Sequence, residues 1–121
     1  MNILAIDDST TNNVLLSSVL ETKGYNIHVA LNAHEAYNIL QNEDIDIILL
    51  DLLMPEISGF DFLKEVKKHK AYNNIPVIVI SAASSSQNID RSREMGADDF
   101  IEKPVDINLL LDTIDSFKNK S

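Results

Sequence analysis

Five residues of this 121-residue chain could do chemistry together: the acid pair Asp7-Asp8, then Asp51, Ser81 and Lys103. Each stands at the end of a short strand-like run, after NILAI, IDIILL, PVIVI and DFIE respectively. Three carboxylates gathered at one place repel one another, and without compensation one takes up a proton. A hard divalent cation supplies that compensation. Mg²⁺ prefers one or two carboxylates, keeps several waters, and leaves positions open to phosphate oxygens. Asp51 beside such a cation is a candidate nucleophile toward phosphorus, giving an aspartyl phosphate. Lys103 would pair with the incoming oxygens as a point charge, and Ser81 would donate a hydroxyl hydrogen bond to one of them. Phosphoryl transfer asks little more of a protein than positioning and charge neutralisation. Each residue also has a plain structural use: helix caps for Asp7-Asp8, a turn for Asp51, a loop hydroxyl for Ser81, a surface charge for Lys103. Their joint occurrence at successive strand ends favours the chemical reading.

The elements that must position them follow from hydrophobic pattern and caps. Residues 2–7 read as an apolar strand. Ser9-Thr10-Thr11 can cap a helix running to about Lys23 and ended by Gly24. On that helix Leu15, Leu16, Val19 and Leu20 share one face, with Val14 pointing away. Tyr25 to Ala30 alternates and reads as a half-exposed edge strand, in which His28 is a solvated residue. Asn32 and Glu35 have capping-box spacing and open a second helix through Leu40. Ile47 to Leu50 leaves no polar face, as in a strand covered by helices on both sides. Met54-Pro55 bars an immediate helix, and Ser58 caps one from about Gly59 to Lys70. Its inward stripe is set by Phe60, Leu63 and Val66-Lys67, with a basic end suited to the helix dipole.

Pro76 to Ile80 is another wholly apolar strand. Ser84 to Met95 is helical by capping and by Gly96, but its apolar content is thin, mainly Ile89 and Met95. Asp98 to Glu102 is a short strand carrying Phe100 and Ile101. Asp106 caps a last helix whose Ile107, Leu110, Leu111, Ile114 and Phe117 face inward, with Leu109 outward. Five strands alternating with five helices call for an α/β fold, a parallel sheet with helices on both faces. Unbroken apolar strands belong in the centre and mixed ones at the edges, and crossovers are right-handed. Those rules give a flavodoxin-like, doubly wound sheet of order 2-1-3-4-5. In that order the carboxyl ends of strands 1, 3 and 4 are neighbours, and a site belongs at that rim.

The bulk numbers narrow the class. One domain, 1–121, accounts for the whole chain. Hydrophobic residues make up 45% and charged residues 24%, with no cysteine, no basic leader and no membrane-length apolar run. Neither disulfides nor thiolate metal sites hold such a fold, and a cytoplasmic location without membrane insertion is expected. A net charge of −9 argues against direct nucleic-acid binding, which needs Lys and Arg.

Taken together, the acid pair Asp7-Asp8, Asp51 with MPEISG after it, Ser81-Ala82, Lys103-Pro104 and the aromatic Phe100 resemble the receiver domain of two-component response regulators. The likeness covers the whole chain. It implies a phosphoacceptor signalling domain rather than an enzyme, with Asp51 taking a phosphoryl group from a histidine kinase or a histidine phosphotransfer protein. It implies that Asp7, Asp8, Asp51 and the backbone carbonyl of Leu53 hold Mg²⁺, Asp7 partly through water, and that Ser81 and Phe100 form a switch. It also implies a cis Lys103-Pro104 bond, and output to a downstream protein or a homodimer through the fourth helix, fifth strand and fifth helix. Serine at 81 and phenylalanine at 100 stand where threonine and tyrosine are commoner in the family. With little chain after the last helix, either a stand-alone regulator or a receiver cut from a longer protein is expected. Two rivals fit less well. A flavodoxin-like FMN binder would meet a repulsive acid pair, and an aspartate-based phosphohydrolase would want an acid where Leu53 stands.

Overall fold

Strands with no polar face need cover on both sides, and the sheet provides it. In the computed structural model, which describes residues 1–53 and 58–118, the strands are β1 (Asn2–Ile6), β2 (Asn26–Ala30), β3 (Ile47–Leu50), β4 (Val77–Ser81) and β5 (Asp99–Glu102). They alternate with α1 (Thr10–Thr22), α2 (Ala33–Asn42), α3 (Gly59–Lys68), α4 (Ser86–Glu94) and α5 (Ile107–Lys118). All pairings are parallel and the order is β2-β1-β3-β4-β5. The expected fold is therefore the observed one. β1, β3 and β4 are buried almost throughout, whereas β2 and β5 expose part of their length.

Alternation along each strand divides the core in two. Leu4, Ile6, Ile48, Leu50, Val77 and Val79 face α2 and α3, which bring Leu40, Phe62, Leu63 and Val66. Ile3, Ala5, Ile47, Leu49, Ile78 and Ile80 face α1 and α5, which bring Leu16, Leu20, Leu110 and Ile114. The caps are local. Ser9, Asn32, Ser58 and Ser85 each accept a hydrogen bond from the backbone N–H three residues on. Glu35 reaches back to the N–H of Leu31 at 2.9 Å, one residue before the cap, a slightly widened capping box. Asp106 caps α5 through the N–H of Leu109.

Three details of the helices differ from the sequence pattern. Leu15 is 62% exposed, because α1 docks on the narrow stripe Asn13, Leu16, Leu20 rather than on a broad leucine face. In α3 it is Phe62, not Phe60, that is fully buried, with Gly59, Leu63 and Val66 completing an i, i+3, i+4, i+7 stripe. Phe60 is half-buried instead and lies under the guanidinium of Arg91, 4.1 Å from its ring centre. α3 also stops at Lys68, where the backbone of His69 turns extended. α4 buries only Ser92 among its own residues.

The start of β2 is tied to α5 by the Tyr25 hydroxyl, which donates to Asp115 at 2.7 Å. That bond, together with burial and the nearby negative charge, pushes the phenol up to about 12. A phenol whose folded pKa is raised adds stability that is complete below the unfolded value near 10. The contribution is lost as pH climbs from there through about 12. Tyr25→Phe is expected to cost about 1 kcal/mol at pH 7. By thermal melts the gap to wild type should close between pH 10 and 12; a gap constant across that window would exclude the linkage.

Candidate functional site

The rim at the carboxyl ends of the strands collects the five residues singled out above. β1 and β3 run side by side, with Ile6 opposite Leu50, so the next residues, Asp7 and Asp51, project from adjacent strand ends. The backbone N–H of Asp51 is held by the carbonyl of Ile6 and that of Asp7 by Ala30. Ser81 ends β4, and its carbonyl accepts from the backbone N–H of Lys103, which fixes the turn after β5 to the same rim. The Lys103-Pro104 bond is cis.

Asp51 is 6% exposed and accepts hydrogen bonds on both oxygens. Its Oδ1 accepts from the N–H of Leu53 at 3.1 Å and from the Ser81 hydroxyl at 3.0 Å; its Oδ2 accepts from Lys103 Nζ at 3.0 Å. Asp7 is 5% exposed, and accepts from the N–H of Ser9 on Oδ1 and from Lys103 Nζ, at 2.6 Å, on Oδ2. Lys103 thus bridges the two buried carboxylates. Burial works against its ammonium, but the hydrogen bonds and charges of Asp7 and Asp51 outweigh it, and its pKa stands above the ordinary lysine value. The compensation expected from a cation alone is therefore supplied in part by the chain's own lysine.

Asp8, by contrast, is exposed. Carboxylate oxygens of Asp7, Asp8 and Asp51 lie within 4.8 Å of one another. An all-oxygen set, two members buried and one facing solvent, suits a hard cation that keeps part of its water shell. Such a cation could be held there. Leu53, expected to add a backbone carbonyl, stands two residues after Asp51 with its side chain exposed; Met54 to Ile57 of the MPEISG segment lie outside the described residues. Phe100 sits beside Val79 on β5, half-buried against the core on the α2–α3 face.

One residue at the site was missed by the sequence reading. Asn13, 3% exposed on the inward stripe of α1, donates from Nδ2 to the carbonyl of Asp7 at 2.8 Å. The only signal available was its spacing, three residues before Leu16 and seven before Leu20.

Known proteins resemble this chain in sequence and in fold. The family model described as response regulator receiver domain matches residues 3–115. The two-component response regulator ORR5 of Oryza sativa subsp. japonica is 33% identical over 105 residues, 86% of this chain and 78% of that protein. The probable transcriptional regulator ycf29 of Pyropia yezoensis is 32% identical over 109 residues, 87% of this chain and 49% of that protein. The structure of the Vibrio cholerae chemotaxis protein CheY4 superimposes with a TM-score of 0.90 at 28% identity, covering 96% of this chain and 97% of that one. A signal receiver domain from Colwellia psychrerythraea does so with 0.93 at 30% identity, covering 98% of each chain. The chain belongs to the response regulator receiver domains of two-component signalling.

Proposed function

We propose that this receiver accepts a phosphoryl group on Asp51, with Mg²⁺, from a phosphohistidine on a histidine kinase or phosphotransfer protein. The observation that carries the proposal is the buried Asp51 carboxylate, flanked by two further acids and bridged to one of them by Lys103. An Asp51 oxygen forms the new O–P bond as the donor's P–N bond breaks and imidazole leaves. Asp7, Asp8, Asp51 and the Leu53 carbonyl would hold Mg²⁺, which supplies charge neutralisation for the phosphoryl oxygens. Lys103 pairs with one of those oxygens, and the Ser81 hydroxyl leaves Asp51 Oδ1 to donate to another. Phe100, beside Ser81's strand and only half-buried, then moves inward, and the surface of α4, β5 and α5 changes. The chain handles its own phosphorylation and is a signalling domain, not a conventional enzyme. Histidine kinases and downstream effectors are the usual partners of such domains, and a homodimer through that surface is the alternative output. Leu109, 50% exposed on α5, offers it an apolar contact.

Incubation with acetyl phosphate and Mg²⁺ should add one phosphoryl group by mass, acetate leaving in place of imidazole. Asp51→Asn should abolish the addition. Undiminished product in that variant would sink the proposal. In the same preparation Leu109→Ser should weaken phosphorylation-dependent association, and unchanged association would return Leu109 to the ordinary surface.

A further inference from the structure

Asn13 is an unusual tenant of a helix face that packs on a sheet. Among the buried polar side chains, Ser92 and Thr113 each satisfy a carbonyl within their own helix, and Asp7, Asp51 and Ser81 satisfy one another or Lys103. Asn13 is different. The carbonyl of Asp7 can only accept, so it fixes the amide with Nδ2 toward it. Oδ1 is left over, buried, and no donor among the described residues reaches it. Buried polar atoms are nearly always paired, and an unpaired one is costly, so it marks something that does pair with it.

The same residue lines a small, partly open and mostly apolar pocket of about 10 Å³, with Leu16, Leu49, Ile80 and the acids Asp7 and Asp51 among its other lining residues. A single water needs on the order of 10–15 Å³ and two to four polar partners. Among the residues lining the pocket, the side-chain acceptors are Asn13 Oδ1 and the carboxylates of Asp7 and Asp51. Water has two protons to give. We infer that Asn13 holds one buried water beneath the acidic site, the water donating to Asn13 Oδ1 and to a carboxylate oxygen of Asp7 or Asp51. Asn13 is then a positioning residue. It fixes the end of β1 through the Asp7 carbonyl, and it fixes one of the two acids through the water, while Lys103 bridges both and Ser81 holds Asp51.

The functional part rests on the proposed Mg²⁺ site; the water itself does not. A crystal structure of the wild-type protein that shows ordered solvent should have density about 2.5–3.0 Å from Asn13 Oδ1 and from a carboxylate oxygen. An empty cavity, or an Oδ1 bonded to a protein donor, would overturn the inference whether or not Mg²⁺ binds. Asn13→Leu fills the cavity and removes both bonds. Mg²⁺ titration followed by NMR should show about tenfold weaker binding, with a melting temperature equal to or above that of wild type. Affinity within twofold of wild type would overturn the positioning role, whatever the melting temperature. If Asn13→Leu does not fold, Asn13→Ala and the wild-type density decide. Failure of the wild-type protein to bind Mg²⁺ would strike the metal site alone and leave the water to be judged by its density.

Discussion

Replacing Lys103 with methionine is expected to cost this protein about 3 kcal/mol or more in the absence of divalent cations. The reason is what remains. Asp7 and Asp51 are both buried and both use Lys103 as a donor, and removing one partner of a buried ion pair leaves charge uncompensated, typically at about 3–5 kcal/mol. For a domain of this size that is a fall of about 10 °C or more in melting temperature. Divalent cations should then matter more to the variant than to wild type. The carboxylates freed from Lys103 are available to bind, and a ligand that binds only the folded state stabilises it by mass action. Thermal melts of Lys103→Met and wild type with and without millimolar Mg²⁺ make the check. A variant melting within about 2 °C of wild type, or an equal Mg²⁺ shift in both, would show that Lys103 does not neutralise the pair.

The second large effect is expected at Gly59, the first residue of α3. A Cβ built there would stand 2.5 Å from the carbonyl oxygen of Asp51 and 2.5 Å from Cα of Leu52. Neither is a flexible side-chain end that can swing aside. The close approach is held by the N–H of Gly59, which donates to the carbonyl of Leu52 at 2.9 Å. Gly59→Ala must push helix and strand end apart, and overpacking against backbone belongs at the top of the usual range, about 3 kcal/mol. Because the displaced atoms belong to Asp51 itself, the amide signals of residues 51–53 and 81 should shift in NMR spectra alongside the loss in denaturant stability. Stability within about 0.5 kcal/mol of wild type would mean that the contact relaxes freely.

Sheet order and the rim of the site were legible because they depend on coarse quantities. Strands apolar on both faces go inside, and in a 2-1-3-4-5 sheet that alone brings Asp7, Asp51 and Ser81 together. Helix faces were less legible, for a geometric reason. Successive residues of a helix sit about 100° apart, so Leu15 and Leu16 cannot both point at the sheet unless the buried stripe is wide. On α1 the stripe is narrow, and it includes Asn13 while excluding Leu15. Residue type therefore misled twice on one helix: an apolar side chain went to solvent and a polar one went inside. On α3 two phenylalanines two residues apart offered two registers sharing Leu63 and Val66, and only packing chose Phe62. Asn13's bond to the Asp7 carbonyl and the close fit at Gly59 are contacts across elements, which no local pattern encodes.

The three bonds that close the site span long stretches of chain. Ser81 and Asp51 are 30 residues apart, Lys103 and Asp51 are 52, and Lys103 and Asp7 are 96. A chain emerging from the ribosome meets these separations in order, and the lysine comes last. Every partial product up to residue 102 carries the acids without their cation. Without a bound cation, such a fragment brings β1 and β3 together only by setting two bare carboxylates side by side, which electrostatics opposes. Completion of the final strand turn is thus what makes the earlier pairing comfortable, so a truncated chain is disfavoured from imitating the finished receiver.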